Sequence, residues 1–247
     1  MELPEVAIPS YKRTNILTSK TLNFLSSVSY PAEKITIFVA NEEEALEYYR
    51  AIPRALYGKL VVGVIGLMPQ RAFISNYYPE DSILIQMDDD VKKIDSSVPF
   101  LTLVKNAVER LNTRKGGLWG VLPNDDKRRY KDDTTTHLTH ILGSFFVCRN
   151  HRDIHTTLTQ KEDYERSILY FKMYGEIYRY RGAGVSTTYN KGTGGLQEEG
   201  RTAKMEAEVN QIVQMYPEYC SRKDKHGMPD VYLNWRAKKV DSPSPPV

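Results

Sequence analysis

Cysteine is scarce: Cys148 and Cys220 are the two in 247 residues, too few for a disulfide framework, and no CxxC spacing offers zinc a site. A reducing compartment is the natural expectation. Long apolar runs are missing as well, and none approaches the ~20 residues a membrane helix needs. The opening "MELPEVAIPSYKR" lacks the basic-then-apolar layout of a secretory leader, so the expected location is the cytoplasm, with no membrane partner. Strong charge of one sign is absent too. Lys and Arg number 34 against 31 Asp and Glu, a net +3, too mild to announce a nucleic-acid protein by itself. Phenylalanine (7) and tryptophan (2) are few, and 17 tyrosines stand in for them. Tyrosine suits half-buried surfaces that also hydrogen-bond, which describes both a sugar- or base-binding face and a tyrosine-rich core.

What is present is an ordinary globular composition, 40% hydrophobic and 26% charged, enough for a sizeable core. The first half alternates. "EVAIPS" reads as a strand, "TNILTSKTLNFLSSV" as a helix capped by Thr14 or Asn15, and "KITIFVA" as a second strand. "NEEEALEYYRAI" follows as a helix with Asn41 as N-cap and three glutamates in the first turn. "KLVVGVIG" and "SILIQM" are the next strands. Strands separated by helices predict an α/β fold with a mostly parallel, Rossmann-like central sheet flanked by helices. Further on come a helix from Phe100 to Gly116, strands in "GLWGVLPN", "THILGSFFVCRN" and "EIYRYRGAGVST", and helices in "EDYERSILYFKMYG" and "TAKMEAEVNQIVQMYP". The expected layout is one domain over 1–240, a donor half of about 1–115 and an acceptor half of about 116–240, with a C-terminal helical extension. The Pro/Ser-rich residues 241–247 read as a disordered tail.

Chemistry gathers where the strand "SILIQM" runs into Asp88, Asp89 and Asp90. Two unit charges ~4 Å apart repel by about 4 kcal/mol at an effective dielectric of 20, so a positive partner is expected there. In extended chain Asp88 and Asp90 share a face while Asp89 points away. Paired carboxylates at a strand end suit a hard divalent cation, Mg²⁺ or Mn²⁺. An isolated DxD is usually a solvated turn, but this one closes a buried parallel strand, at the edge where α/β sheets place their ligands. "IPSYKR" reaches the same edge with Ser10, Lys12 and Arg13, and "MPQRAFI" adds Gln70 and Arg71 just after the third strand. Glu162 and Asp163 open a predicted helix, where they either complement the helix dipole or supply a general base. Glu162 also stands four residues from Arg166, the spacing of a helix ion pair.

Together "IPSYKR", the "QR", the strand-terminal "DDD", "LGSFFVCRN" and "KEDYERS" resemble a GT-A nucleotide-sugar glycosyltransferase. With "NKGTGG…R" the pattern is most similar to the TET/JBP-associated glycosyltransferases, a phage-rich group thought to glycosylate hydroxylated pyrimidines in DNA. The resemblance spans roughly residues 5 to 235. It implies a nucleotide-sugar donor, UDP-linked by expectation, contacted by Pro9, Ser10, Tyr11, Arg13, Gln70, Arg71, Asp88, Asp89, Gly143 and Ser144. It implies a divalent metal on Asp88 and Asp90, Asp163 as general base with Glu162 beside it, and an inverting displacement. A late histidine often completes the metal site in GT-A enzymes; His226 is the one late histidine here, while His137, His140, His151 and His155 fall in no metal spacing.

The acceptor expected from the resemblance is a hydroxylated pyrimidine in phage DNA, and the location then becomes the host cytoplasm. Basic residues interleave with aromatics in "KRRYK", "YRYR", "SRKDK" and "WRAKK", as backbone tracking with base stacking requires. The candidate DNA contacts are Arg128, Arg129, Arg181, Arg201, Arg222 and Lys223, although charge runs are more often solvated faces. Gly192–Gly195 is either a flap or a linker. Rival readings are a transferase acting on a saccharide or small molecule, a nucleotidyltransferase, and a non-catalytic DNA-binding module.

Overall fold

A computed structural model describes residues 2–187, 201–225 and 227–239. The expected glycine-rich flap, His226 and the 241–247 tail lie outside those residues. Four strands, β1 (Glu5–Pro9), β2 (Ile35–Val39), β3 (Lys59–Val62) and β4 (Ile83–Met87), pair in parallel in the order β3-β2-β1-β4. The sheet continues through β8 (Phe145–Arg149), β6 (Gly116–Leu122), β9 (Glu176–Thr187) and β5 (Val91–Ser96), with β7 (Thr134–Thr135) beside β9. Here β6 and β9 are parallel, while β4/β8, β6/β8, β5/β9 and β7/β9 are antiparallel. The α/β architecture is as expected, and its parallel pairing is concentrated in the N-terminal half.

Strand alternation splits the apolar residues between two cores, one on each face of the sheet. Val6, Ile8, Ile37, Val39, Ile85 and Met87 face α5 (Phe100–Asn112) and the helical segment that starts with α1 (Thr14–Leu17) and ends with α2 (Asn23–Ser27). Ala7, Phe38, Leu84, Phe146 and Cys148 face α4 (Leu67–Tyr77), α6 (Glu162–Tyr174) and α7 (Arg201–Met215). Helix α5 fits because Phe100, Leu103, Val104, Ala107, Val108 and Leu111 recur at helical spacing and are all buried. The helix α3 (Glu42–Ala51) starts where expected: Asn41 Oδ1 accepts from Glu44 N at 2.9 Å.

Three readings need correction. The first helix begins after Arg13 with no side-chain cap, because the guanidinium of Arg13 has donors only and cannot accept from the first-turn N–H groups. Thr18–Leu22, between α1 and α2, is a π-helical turn. The C-terminal extension is not helical throughout: α7 is followed by an antiparallel hairpin, β10 (Cys220–Lys225) and β11 (Met228–Leu233). Among the described residues no helix is long and apolar enough to cross a membrane.

Candidate active site

The parallel strands deliver their carboxyl ends to one edge. Ser10 N extends the β1–β2 ladder to Phe38 O, and Asp88 N extends β4 to Ser144 O. Asp88 is thereby fixed at the end of β4, opposite the loop that precedes β8. Its Oδ1 takes a 2.9 Å ion pair from Arg71 Nη2, and Arg71 also donates to Gly143 O and Gln86 Oε1. A third of the Asp88 side chain stays open, yet the carboxyl sits in a recess. Desolvation there, with Asp90, Glu162 and Asp89 adding like charge, raises its pKa to about 7 against the pull of Arg71.

The turn itself is held from the first helical segment. Buried Thr21, in the π-helical turn, donates to Asp88 O at 2.7 Å and accepts from Val91 N at 3.0 Å. Asp89 is buried, in a turn that replaces the extended chain expected after Met87. Ser10 Oγ and Arg13 Nη1 bond its two oxygens at 2.7 and 2.9 Å; burial raises its pKa to about 6 and Arg13 opposes that. Asp90 has only a loose contact, 3.9 Å from Arg13 Nη1.

Several expected donor ligands are engaged within the protein. Ser10 is buried between Asp89 and Tyr48 Oη, and Arg13 is committed to Asp89. Gln70 lies in α4 rather than in a loop, buried, with Oε1 accepting from Val64 N and Nε2 donating to Val39 O. These bonds make Gln70 a clamp on the loops that end β2 and β3 and correct its expected direct contact with the donor. Pro9 ends β1, Tyr11 stands half-buried in the following turn, and Gly143 and Ser144 precede β8.

Helix α6 brings the second carboxylate pair to this edge. Glu162 bonds Arg166 one turn on, and a Cβ at position 143 would lie 2.3 Å from Glu162 Oε1. A side chain at 143 would therefore displace the Glu162 carboxylate from this position. Asp163 Oδ2 is 2.7 Å from His140 Nε2, and its Oδ1 accepts from Tyr164 N at 2.9 Å. The His140 ring stacks on Tyr164, centroids 4.1 Å apart. Burial pushes the Asp163 pKa up, but His140, Arg166 and the Tyr164 N–H outweigh it and hold the carboxyl below its ordinary range.

Two further carboxylates position this helix. Fully buried Glu165 accepts from Thr157 N, Thr157 Oγ1, Leu158 N and Tyr216 Oη. Glu208, on α7, accepts from Thr159 N, Thr159 Oγ1, Gln160 N and Lys161 N. Lys161 Nζ in turn reaches Asp230 of β11 at 2.7 Å. The start of α6 is thus tied to both α7 and the hairpin.

His140, Thr21 and Glu208 escape sequence reading because their partners lie 23, 67 to 70 and 47 to 49 residues away, whereas the Glu162–Arg166 pair, four residues apart, is a local signal. Buried polar atoms without a protein partner cluster around the same edge: Arg13 Nε, Arg71 Nε, Ser144 Oγ, and Arg166 Nε and Nη2. Such atoms need a ligand or water. Among the described residues no group of three or more His, Cys, Asp or Glu side chains is preassembled for a metal. Asp88 and Asp90 supply two carboxylates at an open edge, a donor set that fits a hard cation taking its other oxygens from a diphosphate and water.

The candidate DNA contacts are elsewhere and largely neutralised. Arg128 and Arg129 pair with Asp126, Arg181 with Asp133, and Arg222 with Glu206 and Asp224. Lys223 lies over the Tyr232 ring, and Arg201 is the first residue of α7, its side chain outside the described part.

No protein-family model and no curated protein matches the chain. Solved structures do. A mannosyltransferase from Pyrobaculum calidifontis, solved with GDP-Man and Mn²⁺, superposes with a TM-score of 0.51 at 14% identity over 87% of this chain. This chain spans 63% of that protein's length. Glucosyl-3-phosphoglycerate synthase from Mycobacterium tuberculosis, solved with Mn²⁺, UDP-Glc and phosphoglyceric acid, gives 0.53 at 11% identity, over 94% of this chain and 86% of the other. The fold is therefore shared with GT-A glycosyltransferases.

Proposed function

We propose that this protein is a metal-dependent, inverting glycosyltransferase that moves a sugar from a nucleotide sugar, UDP-linked, onto a hydroxylated pyrimidine of phage DNA. The observation that carries the transferase reading is the meeting of two carboxylate pairs at one sheet edge. Asp88 and Asp90 close β4, and Glu162, the first residue of α6, is close enough to raise the Asp88 pKa, with Asp163, held by His140, the next residue along. The shared GT-A fold supports the same reading, as do the nucleotide sugars and Mn²⁺ bound by the two solved neighbours. The acceptor class rests on the resemblance of the sequence motifs.

A divalent cation on Asp88 and Asp90 would neutralise the departing diphosphate. Arg71 holds Asp88 in place for that task. Asp163 accepts the proton of the acceptor hydroxyl as its oxygen bonds to the anomeric carbon. The bond from that carbon to the phosphate oxygen breaks, and the nucleoside diphosphate leaves with the electron pair. Attack from the face opposite the diphosphate inverts the centre. His140 fixes the Asp163 carboxylate, and the stacked Tyr164 fixes His140.

The test combines two substitutions and one assay. Asp90→Ala abolishes Mn²⁺-dependent donor binding in calorimetry, whereas Asp163→Asn preserves donor binding and lowers transfer by about 10²-fold or more. Transfer is read by mass spectrometry of hydroxymethylated DNA incubated with a panel of nucleotide sugars. Unchanged donor affinity in the first variant, or near-normal turnover in the second, refutes the assignment.

A further inference from the structure

One arginine near the proposed base differs from Arg128, Arg129, Arg181 and Arg222, which all have carboxylate partners. Arg179 sits on β9, opposite Gly120 of β6 and Thr135 of β7. Strand alternation places it on the α6 face, between Ile177 and Arg181, while Tyr178 fills the other core. Its Nη1 lies 3.5 Å from the His140 carbonyl oxygen, a contact too long to satisfy a guanidinium. Its Nε is buried without a partner, and among the described residues no carboxylate meets it. Arg181, by contrast, has Asp133.

The electrostatics agree with this census. Burial and the Arg181 charge both push the Arg179 pKa down, and among the described residues no neighbour of opposite sign compensates. His137, close by, is held below its ordinary range by burial, Arg179 and Arg181. A half-buried cation with no counter-ion costs stability unless something anionic meets it in use. Beside it the His137 ring meets Trp235, centroids 6.0 Å apart, and Trp235 is 49% exposed with Arg236 over its face. Arg179, which meets no carboxylate among the described residues, thus lies against the His140 carbonyl, and His137 links it to the exposed Trp235 ring.

We propose that Arg179 binds a phosphate group of the acceptor next to the Asp163–His140 pair, with Trp235 as the adjoining stacking surface. On the DNA reading above, on which this inference builds, the group is a phosphodiester flanking the modified base. The same chemistry recognises a small phosphorylated acceptor. Guanidinium suits either, since its planar fork offers paired donors to phosphate oxygens. The six basic residues named from charge runs are then secondary: on those described, a phosphate has to displace a carboxylate or a ring contact first.

The test reads binding directly and does not depend on turnover. Trp119 is buried, so a change of tryptophan fluorescence on titration reports on Trp235. The probes are a single-stranded oligodeoxynucleotide carrying hydroxymethylcytosine and, separately, inorganic phosphate, against wild type, Arg179→Met and Arg179→Lys. Arg179→Met is expected to weaken both by about tenfold or more. It should also flatten the dependence of log affinity on log salt by about 0.7 for the oligonucleotide. Arg179→Lys recovers part of the affinity, and donor binding is unchanged in both variants. The methionine variant should melt no lower than wild type, because it removes an uncompensated charge. Equal oligonucleotide affinity in wild type and Arg179→Met overturns the inference and leaves the DNA reading intact. Phosphate binding that needs Arg179, with no oligonucleotide binding, upholds the anion site and overturns the DNA acceptor. No response of the wild type to either probe overturns the inference.

Discussion

Replacing Glu208 by glutamine changes one oxygen to an amide nitrogen and tests whether the strap on α6 sets the catalytic geometry. Glu208 lies 45 residues beyond Asp163, on a different helix, and touches none of the reacting groups in the mechanism above. Oε1 accepts from Thr159 N and Thr159 Oγ1 at 3.1 and 2.6 Å; Oε2 accepts from Gln160 N and Lys161 N at 2.6 and 3.1 Å. The amide chooses the less costly orientation, with NH₂ toward Thr159, whose hydroxyl can reverse its role. Thr159 N is then left facing a donor, a loss of about 1–3 kcal/mol, and the two bonds to the remaining oxygen lose their charge assistance. The sum is about 3 kcal/mol. With a urea slope of about 3 kcal/mol/M, that lowers the unfolding midpoint by about 1 M. The larger effect falls on turnover. Lys161 N anchors the residue directly before Glu162 and Asp163, and a misplacement of about 1 Å at a reacting group costs about 10²-fold. Donor affinity, measured by calorimetry, should not change, because Asp88, Asp90 and Arg71 belong to other elements. A kcat within twofold of wild type, with a midpoint shift below about 0.3 M, refutes the strap.

Two other perturbations address the two carboxylate pairs. Thr21→Val removes the hydroxyl that bridges Asp88 O and Val91 N while keeping the shape, leaving two buried backbone groups unpaired. It should cost about 2–4 kcal/mol in urea denaturation and weaken Mn²⁺-dependent donor binding, and unchanged donor affinity would show that the turn holds itself. Asp163 carries a pKa below its unfolded value near 3.9, so its ionisation stabilises the fold at every pH above about 4 and that contribution fades as pH falls through the lower folded value. Asp163→Asn should therefore unfold at lower urea than wild type at pH 7, with the gap closing as pH falls below about 4 and through the lower folded value; a gap independent of pH contradicts the stabilisation of the Asp163 carboxylate by His140, Arg166 and the Tyr164 N–H.

Legibility in the sequence followed the range of the interactions. Asn41 as N-cap, the amphipathic α5, the alternation of strands and helices, and the placement of "DDD" at a strand end all depend on residues within a turn or a strand of each other. The Glu162–Arg166 pair is of that kind as well. The tyrosine surplus, by contrast, was ambiguous in the sequence. Tyr30, Tyr48, Tyr57, Tyr78, Tyr170, Tyr178 and Tyr219 are buried, and Tyr30 and Tyr170 spend their hydroxyls on Pro4 O and Arg149 O. They serve the core, and a ligand surface is not needed to explain them. The terminal hairpin was missed because "SRKDK" has no apolar alternation; its register is set by pairing with "MPDVYL", in which Pro229, Val231 and Leu233 are buried and Asp230 is partly covered.

Charge runs say less for a related physical reason. A run such as "KRRYK" announces cations, but not whether folding brings each one a carboxylate, and Asp126 does so for Arg128 and Arg129. Arg179 sits in "YRYR" beside Arg181, and nothing in the string separates them. The pleat does not separate them, since residues two apart on a strand share a face and both lie on the α6 side; what does is Asp133, which among the described residues pairs with the outer one alone. The inner arginine is left facing the His140 carbonyl. A solvated face gains nothing from burying a cation in that position, whereas an acceptor that brings its own negative charge turns the cost of the free state into affinity in the bound one. An uncharged acceptor offers no such return, so Arg179 argues for an anionic one more strongly than any count of surface lysines and arginines.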